Sequence, residues 1–159
     1  MNDLGTIITE AANRYSLDVQ LFASLIIQES SLDQWAFKYE DGFYNSHLKY
    51  RPRDRLLGRV PSPRPTLDDE KRFRSVSWGL TQILGETARE LGFEGQYLPE
   101  LLNPTINIEY GAKYLAQCFK KHKGDRFKSL LAYNGGGDLT YPNKVLARLE
   151  NHEYEKILS

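Results

Sequence analysis

The feature that most constrains this chain is a largely apolar stretch at residues 21–33, LFASLIIQESSLD. Its apolar side chains recur at three- and four-residue steps, the spacing of one face of an α-helix. Asp18 precedes the stretch and is predicted to cap the first turn by accepting a backbone N–H. A helix that is apolar on most sides is expected to be buried on most sides. The positions that form the apolar face are Val19, Leu21, Phe22, Ala23, Leu25, Ile26 and Ile27.

Glu29 falls in the last turn of this predicted helix. The carbonyl end of a helix carries partial negative charge, so an anion there is disfavoured. Apolar neighbours also disfavour the ionised form. Both effects raise the pKa of the carboxyl group, as a general acid at near-neutral pH requires. The alternative is a structural Glu that turns outward or caps a loop, and this stretch alone leaves both interpretations open.

Composition narrows the classes of protein to which such a helix can belong. The 159 residues suffice for one domain with a substantial core, so a single domain over residues 1–159 is predicted. The formal net charge of +0 gives no indication of nucleic-acid binding. The single cysteine, Cys118, excludes an intramolecular disulfide, and His47, His122 and His152 lack the spacing of metal ligands. No metal and no other cofactor is therefore expected.

The N-terminal sequence, MNDLGTIITEAANRY, has neither a basic start nor a long apolar run. It is interpreted as neither a secretory signal nor a membrane anchor. We therefore expect no membrane span. A monomer is expected as well. The chain is expected either to be made in the cytoplasm and exported by another route, or to be a processed form.

The remaining helices follow from apolar periodicity and from residues that begin or end helices. Pro104 and Pro142 indicate helix starts, because proline is tolerated in the first turn, and Gly124 indicates a stop. No segment alternates as a strand does over a useful length, so the predicted architecture is all-α. The predicted helices, besides the one described above, cover residues 3–15, 85–93, 104–123, 127–133 and 141–158.

Two unusual segments lie between the helices and together suggest a small lobe at about residues 35–76. Residues 35–50 are rich in aromatic side chains, which belong either to the core or to a cleft; their density favours some exposure at a groove. Residues 51–74 contain four prolines and several arginines, which predict a long irregular excursion. Its charge is interpreted as that of a solvated loop, with a flap over a polyanionic or carbohydrate substrate as the alternative. We expect that this excursion can be shortened without unfolding the domain.

Four separated motifs occur in the order found in one protein family. Each motif is weak alone, but four in the right order are a specific signal. The motifs are Glu29-Ser30, the run SWGLTQI at residues 77–83, Asn103-Pro104 with Asn107-Ile108 and Gly111 through Tyr114-Leu115, and AYNGG at residues 132–136, followed by Tyr141 and Val145. With these motifs the chain resembles the catalytic domain of soluble lytic transglycosylases over about residues 16–150. That resemblance implies a goose-type-lysozyme-like fold that cleaves peptidoglycan.

The resemblance implies a role for each matching residue. Glu29 is expected to be the single catalytic residue, acting as general acid and then as base. Tyr133 and Asn134 are expected to support its carboxylate, and Tyr141 to supply a second hydroxyl near it. Thr81 stands where the family usually has methionine. The residues expected to bind substrate are Ser77, Gly79, Gln82, Tyr133, Asn134 and Tyr141.

The implied chemistry suits a site with one carboxyl group. Cleaving a glycosidic bond needs an acid to protonate the leaving oxygen, and ordinary glycosidases add a second carboxylate. Lytic transglycosylases instead use the muramic acid 6-hydroxyl as an internal nucleophile, which gives a 1,6-anhydro ring. A hydrolase of goose-lysozyme type is the first alternative, and it needs a second acidic residue facing Glu29. The candidates are Glu40, Asp41, Asp68 and Asp69, whereas Asp33 is expected on the same wall as Glu29.

A non-catalytic wall-binding module is the second alternative. It has no use for an energetically disfavoured carboxylate, so Glu29 argues against it. The expected partner is the glycan strand of peptidoglycan, and the expected place of action is the bacterial cell wall, periplasmic or extracellular. One catalytic domain without a signal or wall-binding repeats suits a phage or prophage enzyme, such as an endolysin or virion protein, or a secretion-system accessory.

Overall fold

The computed structural model describes residues 3–159, which are mostly helical with one short sheet. The predicted all-α architecture is confirmed, and the sheet is an addition that the sequence pattern did not indicate. The residues group into two compact units. The terminal unit comprises residues up to Leu32 together with Gly111–Ser159, and the central unit comprises Asp33–Tyr110. The single-domain organisation of residues 1–159 stays a prediction.

The helices of the terminal unit begin where polar side chains cap them. Asp3 Oδ1 accepts the backbone N–H of Thr6 at 2.7 Å. Asp18 Oδ1 accepts those of Gln20 and Leu21 at 3.0 and 3.1 Å, which confirms the predicted cap. The helices are α1 (Leu4–Arg14), α2 (Val19–Ser30), α7 (Arg126–Tyr133), α8 (Tyr141–Glu150) and α9 (Glu155–Leu158). A sixth helix, α6 (Pro104–Lys121), contributes to this unit the part that begins at Gly111.

Helix α2 is the buried centre of the terminal unit, as its sequence predicts. Every residue from Leu21 to Ile27 is buried, and α2 packs against α1, α8 and α9. Ser31 follows the helix in the left-handed conformation, with φ of 52°, and ends it. The side chains that form the surrounding core are Ile8, Ala12, Ala112, Leu115, Leu130 and Val145.

One helix prediction in this unit is wrong in its length. A single helix was predicted over residues 141–158, but α8 ends at Glu150 and α9 begins at Glu155. His152 adopts a left-handed φ of 54° in the intervening turn, and its Nδ1 lies 2.7 Å from the hydroxyl of the buried Tyr154. The break coincides with this local contact and with the burial of Tyr154, which apolar periodicity does not reveal.

The central unit contains a three-stranded antiparallel sheet with strand order β1-β2-β3. The strands are too short for the alternation that identifies a strand in a sequence. Phe37 pairs with Trp78, and Trp78 pairs with Ile83. The elements in chain order are β1 (Phe37–Tyr39), α3 (Asp41–Phe43), a π-helical turn (Tyr44–Leu48), α4 (Leu67–Arg74), β2 (Val76–Trp78), β3 (Ile83–Leu84), α5 (Gly85–Glu90) and the start of α6, with short 3-10 turns at Arg53–Arg55 and Leu98–Leu102.

The interpretation of residues 51–74 as a solvated excursion is wrong for its last third. Residues 67–74 form α4, and Glu70 and Arg74 on this helix are fully buried. Leu56 also joins a buried cluster with Tyr44 and Leu48. The expectation that the segment can be shortened without unfolding the domain rested on few core contacts, whereas Glu70, Arg74 and Leu56 are buried. The outcome of shortening stays a prediction. Only the stretch between Leu56 and Leu67 is irregular in the way that the prolines predict.

Among residues 3–159, the helices are all too short or too polar to cross a lipid bilayer.

Candidate active site

Glu29 lies one residue before the end of α2 and is partly buried. Burial raises the pKa of its carboxyl group from the ordinary value of 4.5 to about 7, and a hydrogen bond from Tyr141 limits the rise. Burial has this effect because the charged form loses more solvation than the neutral form. A carboxylic acid with a pKa near 7 is protonated in a substantial fraction of molecules at neutral pH. It can therefore donate a proton and take one back.

Tyr141 is the direct partner of Glu29. It is the first residue of α8, which packs against α2, and its side chain is buried. Its hydroxyl donates a hydrogen bond to Glu29 Oε1. Burial and the adjacent Glu29 charge raise the pKa of Tyr141, so its hydroxyl keeps its proton and stays a donor. The bond holds Oε1, so the proton of a general acid can reside on Oε2.

Tyr133 and Asn134 lie in the same unit as Glu29 and Tyr141, at the end of α7. Tyr133 is buried, and its ring packs against that of Tyr114 with the centroids 5.1 Å apart. The Tyr133 hydroxyl also contributes to the raised pKa of Tyr141. Asn134 is exposed and ends α7, and Gly135 follows with a φ of 86°. Tyr133 is thus part of the buried core of the terminal unit, while Asn134 forms the turn after α7.

Ser77 and Gly79 belong to the central unit. Ser77 lies on β2, and its hydroxyl donates a hydrogen bond to Glu40 Oε1 at 3.2 Å. Gly79 has a φ of 65°, and a Cβ placed there would lie 2.5 Å from the amide nitrogen of Asn107. Only glycine suits this position, because its φ is left-handed and the close approach of Asn107 leaves no room for a side chain.

Gln82 has a left-handed φ of 49° and uses its amide nitrogen to hold the loop before it. This nitrogen donates to the carbonyl oxygens of Gly79 at 2.9 Å and Ala36 at 3.3 Å. The amide oxygen of Gln82 takes no part in these two bonds. The side chain therefore stabilises the loop of residues 77–82 whether or not it also contacts a ligand.

Asn107 is a positioning residue to which sequence reasoning assigned no role, although it belongs to a quoted motif. Its side chain is fully buried, and Nδ2 donates to the carbonyl oxygens of Trp78 at 2.7 Å and Leu101 at 2.8 Å. Its Oδ1 accepts the backbone N–H and the hydroxyl of Thr81, both at 2.8 Å. Thr81 is fully buried, and these two bonds satisfy its backbone N–H and its hydroxyl. The sequence feature that could have identified it is an asparagine on the apolar face of a predicted helix, because the side-chain amide of a buried asparagine must be hydrogen-bonded.

The alternative carboxylates of the central unit have other partners. Glu40 accepts the Ser77 hydroxyl and pairs with Lys38 at 3.3 Å. Asp68 is bonded by Arg72 at 2.9 Å and by Tyr44 at 3.1 Å, and these bonds hold the pKa of its carboxyl group below the usual range. Asp69 is exposed on α4, and Asp41 accepts a bond from Asn45 at 3.2 Å.

No group of three or more His, Cys, Asp and Glu side chains within residues 3–159 is arranged to hold a metal ion.

A mostly helical chain whose buried central helix ends at a carboxyl group with a pKa near neutrality fits the lysozyme-like class. Residues 6–144 match the Transglycosylase SLT domain family, and the chain belongs to this family. The family acts on the peptidoglycan of the cell wall, and membership implies lytic transglycosylase activity. No solved structure matches the chain.

Proposed function

We propose that this protein cleaves the bond between N-acetylmuramic acid and N-acetylglucosamine in peptidoglycan with Glu29 as its single general acid/base. The observation that carries the proposal is the burial of Glu29, which raises the pKa of its carboxyl group to about 7. An acid must be protonated at the working pH and must then serve as a base, and a pKa near that pH serves both steps. The helix end and the Tyr141 hydroxyl orient the group.

The proposed reaction has two proton transfers. Protonated Glu29 donates its proton to the glycosidic oxygen as the bond from that oxygen to C1 of muramic acid breaks. The resulting Glu29 carboxylate accepts the proton of the muramic acid 6-hydroxyl, whose oxygen bonds to C1. The products are a 1,6-anhydromuramic end and a free 4-hydroxyl on N-acetylglucosamine, and the enzyme regains its proton. An intramolecular hydroxyl has a high effective concentration, worth up to about 7–11 kcal/mol when well placed.

We also propose that Ser77, Gly79 and Gln82 position the N-acetylated sugars, as the family resemblance implies. Asn107 supports this role by holding the backbone on both sides of Gly79. A glycine in a rigid loop lets a ligand approach the main chain closely. Tyr133 and Asn134 are proposed to support the carboxylate, and Tyr141 to orient it.

A muramidase that uses water is the alternative. The observation that favours it is the Ser77–Glu40 hydrogen bond, which places a partly buried carboxylate beside a proposed substrate-binding residue. Inverting and retaining hydrolases both need a second carboxylate as base or nucleophile. A non-catalytic binding module is disfavoured, because such a module gains nothing from a carboxyl group whose ionisation is hindered.

Digestion of purified peptidoglycan in water enriched with heavy oxygen, followed by mass spectrometry, distinguishes the two reactions. We expect unlabelled anhydromuramic ends, one water lighter than hydrolysed ends, because no water enters the product. Glu29→Gln should release no product. Glu40→Gln is the matched control and should leave the anhydro product unchanged. Labelled, reducing muramic ends that disappear in Glu40→Gln would instead establish the hydrolase.

The proposed place of action is the cell wall outside the cytoplasmic membrane. The monomeric state and a phage origin stay predictions.

A further inference from the structure

A pocket of about 440 Å³ lies within the central unit, beside an exposed tryptophan. Trp35 is 65% exposed and forms one wall together with Gln34. The rest of the lining comes from residues 99–106 and combines the apolar Leu102 and Ile106 with the polar Asn103. Its size falls within the range of small-ligand sites, about 300–1,000 Å³. We call this site the Trp35 pocket.

Residues adjacent in sequence to the lining of the Trp35 pocket are bonded to the loop of residues 77–82. On the tryptophan side, the carbonyl oxygen of Ala36 accepts hydrogen bonds from the Gly79 backbone at 2.7 Å and from Gln82 at 3.3 Å. On the other side, Asn107 bonds to the carbonyl oxygens of Leu101 and Trp78. The pocket is therefore built onto the loop that is proposed to position sugars, and the buried amide of Asn107 makes that connection rigid.

The lining favours a neutral, amphipathic ligand. An exposed indole offers a flat apolar face for the C–H face of a pyranose ring. Asn103 Oδ1 caps α6 by accepting from Thr105 and Ile106, which leaves its amide N–H groups as donors toward an acetamido oxygen. The Gln34 amide adds a second polar group. The carboxylate of Glu100, also in the lining, disfavours an acidic ligand.

We propose that the Trp35 pocket binds an N-acetylglucosamine residue of the glycan strand, as a binding site in addition to the catalytic machinery. The choice of a glycan rests on the proposed function, but binding here does not require Glu29 to be catalytic. The uncharged sugar is preferred to the stem peptide and its carboxylates because of Glu100. Stacking on Trp35 would hold the polymer while other residues act on it.

The test titrates the protein with chitotetraose, a soluble oligomer of N-acetylglucosamine, and follows the two indole N–H resonances by NMR. Trp78 is buried, its indole nitrogen donates to the carbonyl oxygen of Phe73 at 3.0 Å, and it lies outside the pocket lining, so its resonance reports on the loop of residues 77–82. We expect the Trp35 resonance to shift on addition, and its titration curve gives the affinity of the pocket. Trp35→Ala should weaken binding about tenfold, the loss expected when a stacked ring is removed. Trp35→Phe keeps an aromatic ring and should recover part of the lost affinity.

Tyr50→Ala is the matched control, because Tyr50 is another exposed aromatic side chain of the central unit outside the pocket lining. It should bind chitotetraose as the unsubstituted protein does. Trp35→Ala is expected to fold, because the hydrogen bond from residue 35 to Asp33, at 2.9 Å, comes from the backbone N–H and is kept in the variant. Equal affinity in Trp35→Ala, or a Trp35 shift caused by isolated stem peptide and not by chitotetraose, overturns the proposal. The outcome of the heavy-oxygen product analysis does not depend on either of these results.

Discussion

At the scale of single residues, the raised pKa of Glu29 makes the stability of the fold depend on pH. Its pKa is raised from 4.5 to about 7 on folding, so the folded state binds a proton that the unfolded state releases between these values. The stabilising contribution is complete below about pH 4.5 and is lost as pH rises through about 7. Because a tenfold change in proton affinity corresponds to about 1.4 kcal/mol, the loss is roughly 3 kcal/mol as an upper limit.

Glu29→Gln is predicted to abolish wall cleavage and to keep the fold. The amide oxygen of glutamine can accept the Tyr141 hydrogen bond, but the side chain cannot supply a carboxylic proton. At pH 8 the variant should be more stable than the unsubstituted protein by roughly 1–3 kcal/mol, and this difference should vanish near pH 4. Urea unfolding at both pH values measures it. Glu150→Gln is the control, because Glu150 also ends a helix but is exposed, so that this substitution removes no buried carboxyl group. Retained cleavage by Glu29→Gln contradicts the proposed role.

Tyr141→Phe is predicted to move the alkaline limb of the pH–activity profile to higher pH. The Tyr141 hydrogen bond lowers the pKa of Glu29, so its removal raises that pKa further and keeps the acid protonated at higher pH. Loss of the orienting bond should reduce kcat about tenfold. The pH dependence of kcat measures both effects. Tyr154→Phe, a buried tyrosine in the same unit, should leave the limb in place. An unshifted limb in Tyr141→Phe would show that the bond does not act on the titrating group.

At the scale of elements, a buried ionic network holds the proline-rich segment to the central unit. Arg74 on α4 bonds to Glu70 at 3.1 Å and to Glu86 at 3.1 Å. It also donates to the carbonyl oxygens of Leu57 and Arg59, both at 2.8 Å. Two backbone carbonyl groups of the irregular segment are thus satisfied by a side chain of the following helix. This explains how a segment with little regular structure can have a defined conformation.

Arg74→Met is predicted to destabilise the fold by about 3–5 kcal/mol, because it leaves buried carboxylates and carbonyl oxygens without a partner. Arg72→Met is the matched control on the same helix. Arg72 pairs with Asp68 at the exposed surface, so its loss should cost less than about 1 kcal/mol. Chemical denaturation of the two variants measures the difference. Equal, small effects would contradict the structural role of the buried network.

At the scale of the whole molecule, positive and negative charges balance, with 21 Lys and Arg residues against 21 Asp and Glu residues. Long-range attraction to an anionic polymer is therefore weak. Binding of Glu29→Gln to purified cell walls is predicted to change by less than about threefold between low and high sodium chloride, because screening has little net charge to act on. Co-sedimentation measures it. A steep loss of binding with salt would indicate that a local basic surface dominates.

The parts of the fold that could be predicted are those whose signals are local. The cap at Asp18, the burial of α2 and the start of α6 at Pro104 each follow from residues a few positions apart. The three-residue strands could not be predicted in this way, because strands 37–39 and 76–78 pair across nearly forty positions and are too short to show alternation. The burial of Arg74 was missed for a similar reason, since its partners Leu57, Arg59 and Glu86 lie 12 to 17 positions away.

For the candidate site, the sequence by itself determined that an acidic residue would stand at the end of a buried helix, and ordered motifs indicated the family. Those properties depend on helical periodicity and on residue identity, which are read along the chain. Only the tertiary structure decided that the Tyr141 hydroxyl would bond to Glu29 across 112 positions, that Asn107 would hold the Gly79 loop, and that Trp35 would border a pocket. These contacts arise when separate elements pack, and packing brings together atoms whose proximity no local pattern encodes.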